Sequence, residues 1–292
     1  MKRIRLISRT RRYRWFCLFL GAIASLGVIL LQPQIVQAQS IWERLIFQGV
    51  QVIQLSTVSA KQEVEIGQQI NQQLLRQGMR LNGDPDLNQY VNQIGQRLVA
   101  VSARGKLPYT FQIVSDRAVN AFATTGGYVY VTTGLMKAAD NEAQLASVIA
   151  HEIGHIEGKH LLQQLRQTAI TRGLISAAGL DRSVIANLGT ELVLNRPLSR
   201  KDELDADQRG LRMMVKANYA DSAMPAFMQK LLNQSSAPSF LSTHPGVADR
   251  VKALEATIAK SAGNVCDRDP EQSECGLNNA SYQQRVRDRL AG

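Results

Sequence analysis

The sequence predicts a mainly α-helical fold that carries a small β-sheet, an α+β arrangement. The chain has 292 residues, of which 45% are hydrophobic, so it can bury a full core and form one main domain with smaller additions. Three observations predict the class. Two amphipathic segments come first, two short runs rich in β-branched and aromatic residues follow them, and helical spacing returns from Asn141 onward.

The two amphipathic segments cover residues 61–77 and 86–102, where apolar side chains recur at helical spacing. The second segment follows Asn82-Gly83-Asp84-Pro85, which combines a turn with a helix-start signal. Two amphipathic helices are therefore predicted before the sheet.

The strand signals lie between these helices and Asn141. Apolar and polar residues alternate from Tyr109 to Val114, and a Gly-Gly pair precedes the β-branched and aromatic run from Tyr128 to Thr132. Helical spacing then begins at Asn141 and continues past His160 without a breaker. One long helix is expected there.

The stretch from Thr168 to Leu194 is apolar, but Arg172, Asp181 and Arg182 interrupt it, so no run approaches the 18 residues of a membrane span. Short buried helices over the active-site side of the core are expected instead.

Ser199, with Asp202 three residues on, marks another helix start that leads into the stretch from Glu203 to Lys216. Later helices are predicted at Ser222 to Leu232 and at Val247 to Ala262. The residues after Gly263 are expected to form a separate appendage.

The net charge of +10 is concentrated at the N-terminus, since residues 1–38 contain seven basic side chains and no acidic one. The remaining chain has 27 basic against 24 acidic side chains. This balance gives no strong electrostatic reason to bind nucleic acid, so no nucleic-acid partner is predicted.

The same N-terminus has the parts of a secretory signal peptide. A basic start precedes an apolar run from Trp15 to Leu31, and Val36-Gln37-Ala38 fits a cleavage site that would release a chain beginning at Gln39. An exported, periplasmic or extracytoplasmic protein is predicted. An uncleaved membrane anchor is the alternative, because 17 apolar residues are close to the length of a span. Arg11-Arg12 loosely resembles a twin-arginine export signal.

Cys17 lies within the signal, which leaves Cys266 and Cys275 in the exported chain. An even pair of cysteines in an exported protein suggests a disulfide. A metal or redox pair has less support, because the spacing is not C-x-x-C and no histidine is near.

His151-Glu152-Ile153-Gly154-His155 is an H-E-x-x-H motif within the long predicted helix. The i, i+4 spacing places both imidazoles on one helix face, where they can bind one zinc ion. Glu152 projects beside them, where its carboxylate can accept a proton from water. The motif predicts two zinc ligands and a catalytic base.

A catalytic zinc site usually has three protein ligands and one open position. Glu203-Leu204-Asp205-Ala206-Asp207 offers the third ligand, because Glu203 and Asp207 share a helix face. Glu203 is the predicted ligand, and Asp207 is predicted to accept a hydrogen bond from a ligand imidazole.

Three of the four histidines lie in residues 151–160, and His160 is expected to support the site or to lie on the surface. His244 follows in Ser242-Thr243-His244-Pro245, six residues before Arg250. His244 and Arg250 are predicted to face the metal and stabilise an oxyanion. Alternatively, His244 occupies the open zinc position and keeps the enzyme latent, which we favour.

These residues together resemble a known family. The motifs that carry the resemblance are H-E-I-G-H followed by E-x-x-x-D, Asn120-Ala121-Phe122-Ala123, Gly126 to Val131, Ser199-Arg200 and Thr243-His244-Pro245. They resemble the CAAX prenyl endopeptidase type of zinc metallopeptidase over about residues 61–262. Within that type, the chain is similar to the bacterial periplasmic HtpX-like and BepA-like branch.

The resemblance implies a gluzincin fold, zinc held by His151, His155 and Glu203, and base catalysis by Glu152. It also implies that an extended substrate pairs with the strand that starts at Gly126, Gly127 and Tyr128. Relatives that carry membrane spans or C-terminal helical repeats differ from this chain, which has only about 30 residues after Ala262.

The function predicted from this sequence is zinc-dependent endopeptidase activity on unfolded or misassembled envelope proteins, with peripheral membrane association left open. A non-catalytic chaperone that uses the same groove is the alternative. The predicted division is a signal peptide at 1–38, a helical part at 39–105, a peptidase domain at 106–262 and a disulfide-containing tail at 263–292.

Overall fold

The computed structural model describes residues 52–53, 58–174, 180–261, 264–269 and 275–290. The predicted signal peptide, residues 1–38, lies outside these ranges. Within them, no helix is both long enough and apolar enough to cross a membrane.

A short strand, β1 (Val52–Ile53), precedes the two predicted amphipathic helices, α1 (Ala60–Arg76) and α2 (Pro85–Val99). Helix α1 begins with a capping box, in which the side chains of Ser59 and Gln62 satisfy each other's backbone N–H groups. Asp84 caps α2 with Pro at its first position, as the sequence predicts. Both helices bury one apolar face.

The small sheet contains β2 (Thr110–Val114), β3 (Ala121–Ala123) and β4 (Tyr128–Thr132) in the order β2-β4-β3. Strand β2 is parallel to β4, whereas β3 is antiparallel to it. The predicted strand from Tyr128 is therefore the central one. Because side chains alternate along a strand, Val129 and Val131 enter the main core and Tyr130 enters a second hydrophobic cluster.

Helix α3 (Thr133–Ala138) leads to α4 (Glu142–Gly158), which carries the H-E-x-x-H motif, and then to α5 (His160–Thr171). The expectation of one continuous helix past His160 is wrong. Lys159 adopts a left-handed backbone conformation with φ of 56° and ends α4. Left-handed residues are uncommon outside glycine, so sequence periodicity does not reveal this break.

Strand β5 (Leu180–Asp181) pairs antiparallel with β1 and is followed by α6 (Arg182–Asn195) and α7 (Arg200–Lys216). Ser199 caps α7 by accepting from the Asp202 N–H, as predicted. The next helices are α8 (Ala223–Leu232), α9 (Ser239–Thr243) and α10 (Val247–Lys260).

The C-terminal part contains α11 (Val265–Arg268), α12 (Asn279–Tyr282), a π-helical turn (Gln283–Arg287) and α13 (Asp288–Leu290). A disulfide joins Cys266 to Cys275. The tail does not form a separate appendage, because its apolar side chains, including Tyr282 and Val286, belong to the main core. The Gly276 carbonyl also accepts a hydrogen bond of 2.9 Å from the Ala143 N–H in the first turn of α4.

The sheet lies between two hydrophobic clusters. The main core is formed chiefly by α2, α4, α8 and the C-terminal segment on one side. Helices α1, α5 and α6 form the smaller cluster on the other side, through residues such as Ile70, Leu165 and Leu192. Apart from its exposed Val184 and Leu194, α6 buries one apolar face, which fits the prediction of short buried helices only in part.

Candidate metal centre

Helix α4 presents His151, Glu152 and His155 to the interior, where all three are at most 5% exposed. Helix α7 crosses α4 closely because Gly154 has no side chain: a Cβ there would lie 2.6 Å from the Ala206 carbonyl oxygen. This approach places Glu203 of α7, which is fully buried, opposite the two histidines.

Four donor atoms converge at this crossing, from His151, His155, Glu203 and His244. The Nε2 atoms of His151 and His155 are 2.9 Å apart. Glu203 oxygens lie 3.4 Å from the former and 3.5 Å from the latter. His244 Nδ1 lies 3.3 Å from His151 Nε2 and 3.2 Å from Glu203 Oε2. These are the groups that could hold a metal ion.

The spacing of these donors fits zinc. Ligands at about 2.0–2.1 Å from zinc in a tetrahedron lie about 3.3–3.4 Å from one another. Two imidazole nitrogens that face each other with lone pairs at 2.9 Å would repel without a shared proton or cation. The donor set of nitrogen and carboxylate atoms is also the one that catalytic zinc prefers.

The charges around the donors favour a cation. Burial and the Arg250 guanidinium both oppose a charged His151, but the Asp207 and Glu203 carboxylates outweigh them and raise the pKa of His151 to about 9. Burial would raise the pKa of Glu203, yet its imidazole neighbours hold that pKa far below the ordinary value. Carboxylates that stabilise a proton here would also stabilise a bound metal ion.

Asp207 lies where the sequence predicts it. Its Oδ1 atom is 2.9 Å from Nδ1 of His151, on the side of the ring that faces away from the donor cluster. Arg250 donates two hydrogen bonds of 2.7 Å to the Asp207 carboxylate. Asp207 is thus held in place to fix the orientation of the His151 ring.

Arg250 lies beside the donor cluster, with its Nη2 atom 3.5 Å from Nε2 of His151. Its guanidinium is committed to Asp207 and, at 2.6 Å, to Glu203 Oε2, and the side chain is 2% exposed. In this structure Arg250 is a buried cation that holds two carboxylates in place, and its role as an oxyanion donor stays a prediction.

Glu152 Oε1 is buried and has no hydrogen-bond partner among the described residues. Burial is the largest influence on this carboxyl and raises its pKa, against the lowering effect of His244 and His151. An unpaired buried carboxylate oxygen is costly for stability, which indicates a functional position.

His244 is 4% exposed and joins the donor cluster through Nδ1. Its other ring nitrogen lies 3.4 Å from the Ala121 carbonyl oxygen and 3.5 Å from Glu152 Oε1. The ring stacks on Phe240 with centroids 4.3 Å apart. His244 thus occupies the fourth position around the cluster and lies against the start of β3.

Comparison with known proteins identifies the family. The description of peptidase family M48 matches residues 85–258, which include all four donors. The chain belongs to peptidase family M48.

Three relatives are similar to this M48 chain over much of its length. The putative beta-barrel assembly-enhancing protease of Vibrio cholerae is 34% identical over 215 residues, 67% of this chain and 44% of the relative. The beta-barrel assembly-enhancing protease of Escherichia coli is 34% identical over 207 residues, 65% of this chain and 42% of the relative. The mitochondrial metalloendopeptidase OMA1 of Schizosaccharomyces pombe is 30% identical over 183 residues, 59% of this chain and 53% of the relative. The chain thus spans about half or less of the length of these relatives.

The edge strand of this M48 chain differs from the predicted one. The strand that starts at Tyr128 is paired on both sides, by β2 and β3, so no substrate can add to it. Gly126 and Gly127, with φ of 77° and 100°, instead form the turn that joins β3 to β4. The strand with an unpaired edge beside the donor cluster is β3. The sequence does contain a signal for β3. A Gly-Gly turn is typical of a β-hairpin, in which the strand before the turn pairs with the strand after it, here β4.

A small cavity of about 50 Å³ opens beside Glu152 and His155 of the M48 motif. Strand β3 and helices α5 and α6 form its walls, which are largely apolar. The apolar wall residues are Phe122, Leu161, Leu162, Leu192, Val193 and Leu198. Lys159 and Arg196 line it as well. The cavity therefore offers an apolar surface next to the donor cluster.

Proposed function

We propose that this M48 chain is a zinc-dependent endopeptidase in which His151, His155 and Glu203 hold the metal and Glu152 is the catalytic base. The observation that carries the proposal is the buried donor cluster beside a Glu152 carboxylate oxygen that has no hydrogen-bond partner within the described part of the chain. Three ligands with a fourth, exchangeable position are the arrangement of catalytic zinc.

Zinc, when bound, supplies a Lewis acid that polarises a carbonyl group and makes water reactive near neutral pH. Glu152 accepts the proton from that water and then delivers it to the leaving amine. The pKa of its buried carboxyl is raised, which suits a group that must take up and release a proton. Asp207 and Arg250 keep the His151 ring oriented throughout.

Strand β3 is the proposed substrate-binding edge in place of β4. An extended peptide that pairs with the backbone of Ala121–Ala123 would run past Glu152 and place a side chain in the apolar cavity. Backbone pairing with one apolar side-chain pocket favours unfolded polypeptides with exposed apolar residues as substrates.

His244 is proposed to keep the enzyme latent. Its ring fills the fourth position and contacts the carbonyl oxygen of Ala121, so it occupies both the site of water and the start of the substrate edge. Release of His244 would open both at once.

The relatives' names support a role in envelope protein quality control, since two of them are named beta-barrel assembly-enhancing proteases. Export to the periplasm, cleavage after Ala38 and peripheral membrane association stay predictions.

A direct test compares cleavage of unfolded casein by the purified protein before and after treatment with a zinc chelator, and after zinc is restored. Cleavage that is lost and regained supports the proposal, provided that Glu152→Gln remains inactive with zinc bound. Casein that stays soluble but uncleaved with zinc bound would point to a chaperone and contradict the proposal.

A further inference from the structure

His160 contacts a metal-ligand candidate directly. Its Nδ1 atom lies 2.8 Å from Nδ1 of His155, and its Nε2 atom lies 3.1 Å from Asp205 Oδ2. His160 is 3% exposed, and Asp205 lies on α7 between Glu203 and Asp207. The M48 motif itself assigns no role to either residue.

The direction of these hydrogen bonds follows from the donor cluster. His155 faces the cluster with Nε2, so this nitrogen must keep its lone pair to bind a metal and the proton must be on Nδ1. His160 Nδ1 must then accept that proton, which places the proton of a neutral His160 on Nε2, where it is donated to Asp205. Only one pair of tautomers satisfies both contacts.

The backbone is shaped to bring His160 to this position. The left-handed Lys159 ends α4 and turns the chain so that the first residue of α5 lies beside the preceding turn. Gly158 leaves room for the ring, because a Cβ there would lie 2.2 Å from His160 Nε2. The ring cannot retreat without losing its contact with His155 or with Asp205.

Asp205 is itself fixed. Arg209 Nε donates a hydrogen bond of 2.6 Å to Asp205 Oδ2, and its Nη1 atom lies 3.6 Å from Glu157 of α4. The chain of contacts therefore starts at a candidate ligand on α4, passes through His160 and returns to α7.

We propose that His160 is a positioning residue that, together with Asp205, fixes the tautomer and orientation of His155 for metal binding. The proposal rests on the proposed zinc site. A partner that orients a ligand imidazole contributes roughly 10–100-fold to metal affinity, so His160 acts on zinc affinity before any substrate is present.

The experiment measures the zinc dissociation constant of the full exported chain by competition with a chromophoric chelator. His160→Leu removes both contacts and should weaken zinc binding by roughly 10–100-fold. His160→Asn places an amide oxygen near the position of Nδ1 and should retain much of the affinity. His160→Gln places its amide near Nε2, keeps only the Asp205 contact and should bind zinc as weakly as His160→Leu.

Leu165→Ala is the matched control, because Leu165 is fully buried on the same helix but lies outside this chain of contacts. It should lower thermal stability and leave zinc affinity unchanged. Gly158→Ala displaces the ring without altering it, and it should weaken zinc binding even if His160→Leu fails to fold.

The positioning role would be overturned if wild type, His160→Leu and Gly158→Ala bound zinc with equal affinity. It would also be overturned if His160→Gln kept full zinc affinity while His160→Asn lost it. Failure of the wild type to bind zinc would instead refute the proposed function, so the two failures are distinguishable.

Discussion

The donors of the candidate metal centre come from two differently built regions. His151, His155 and Glu203 lie on α4 and α7, two helices of 17 residues that cross closely within the molecule. His244 follows α9, a helix of five residues. That short helix is tied to the segment before β3 by a bond of 3.0 Å from the Phe240 N–H to the Val119 carbonyl and by a weaker side-chain bond from Thr243.

The two regions differ in the free energy that is lost when a donor side chain moves away from the cluster. Moving Glu203 would break its buried pair with Arg250, and loss of one partner from such a pair costs about 3–5 kcal/mol. Moving His244 would break its contact with the Glu203 carboxylate, a bond to a charged group that contributes about 1.5–3 kcal/mol, and weaker bonds of about 0.5–1.5 kcal/mol each. The difference supports the proposal that His151, His155 and Glu203 are permanent ligands and that His244 can be exchanged for water and substrate.

The largest effect is expected for Glu203→Gln, which weakens a permanent ligand and leaves Arg250 with one fewer carboxylate. Zinc affinity should fall by more than the roughly 10–100-fold that the loss of an outer partner costs. Zinc content after dialysis, measured by elemental analysis, checks this. Glu191→Gln is the control, since Glu191 pairs with Arg172 at the surface. Equal zinc content in the Glu203 variant and the wild type would exclude Glu203 from the site.

Glu152→Gln should reduce the cleavage rate by at least roughly 10²-fold with zinc content unchanged, because it removes the base and no ligand. Casein cleavage and metal content are measured on the same preparation. Near-normal cleavage by this variant would refute the assignment of Glu152 as the base.

Asp207→Ala should weaken zinc binding by roughly 10–100-fold, because the His151 ring loses the carboxylate that orients it. Chelator competition measures this loss. Asp249→Ala is the matched control, because Asp249 is largely exposed and, among the residues that the structure describes, its ion pair is with Arg200 at 3.6 Å. If the Asp207 variant bound zinc as tightly as this control, the His151 ring would not need the Asp207 carboxylate to orient it.

His244→Ala should give the smallest effect of the four substitutions, and it should raise the cleavage rate where the others lower activity or zinc binding. If the closed arrangement is favoured by about 1.4 kcal/mol, about nine-tenths of the molecules are latent and removal of the ring raises basal cleavage about tenfold. Initial cleavage rates with zinc saturating measure this. Thr243→Val, which only loosens α9, should raise the rate less. A fall of roughly 10²–10³-fold in His244→Ala would instead identify an oxyanion donor.

Much of the fold follows from local signals. Helices α1, α2, α7 and α8 start within one residue of the predicted positions because caps and prolines mark them, and β4 has the predicted ends. The order of the strands was not predictable in the same way. A short strand of β-branched and aromatic residues has the same pattern at the centre and at the edge of a sheet, so nothing in the sequence of β4 contradicts the edge position that the family resemblance implies.

The site shows the same limit. Spacing within one helix places His151 and His155 on one face, so this part of the donor cluster could be predicted. The place of Arg250 could not be, because spacing from His244 does not show which carboxylates its guanidinium meets. The break at Lys159 could not be predicted from the sequence either, because a lysine in a left-handed conformation does not change the hydrophobic periodicity. Tertiary packing decides the order of the strands, the partners of Arg250 and the break at Lys159.

The position of the C-terminal segment has a consequence for the timing of synthesis. The first turn of the helix that bears the catalytic motif is bonded to Gly276, and Tyr282 donates a hydrogen bond of 2.7 Å to the Met136 carbonyl just before that helix. Both contacts need residues that are synthesised well after the helix itself. A nascent chain that ends before Gly276 therefore lacks part of the support of this helix, and the donor cluster gains its full support only once the C-terminal segment has been made.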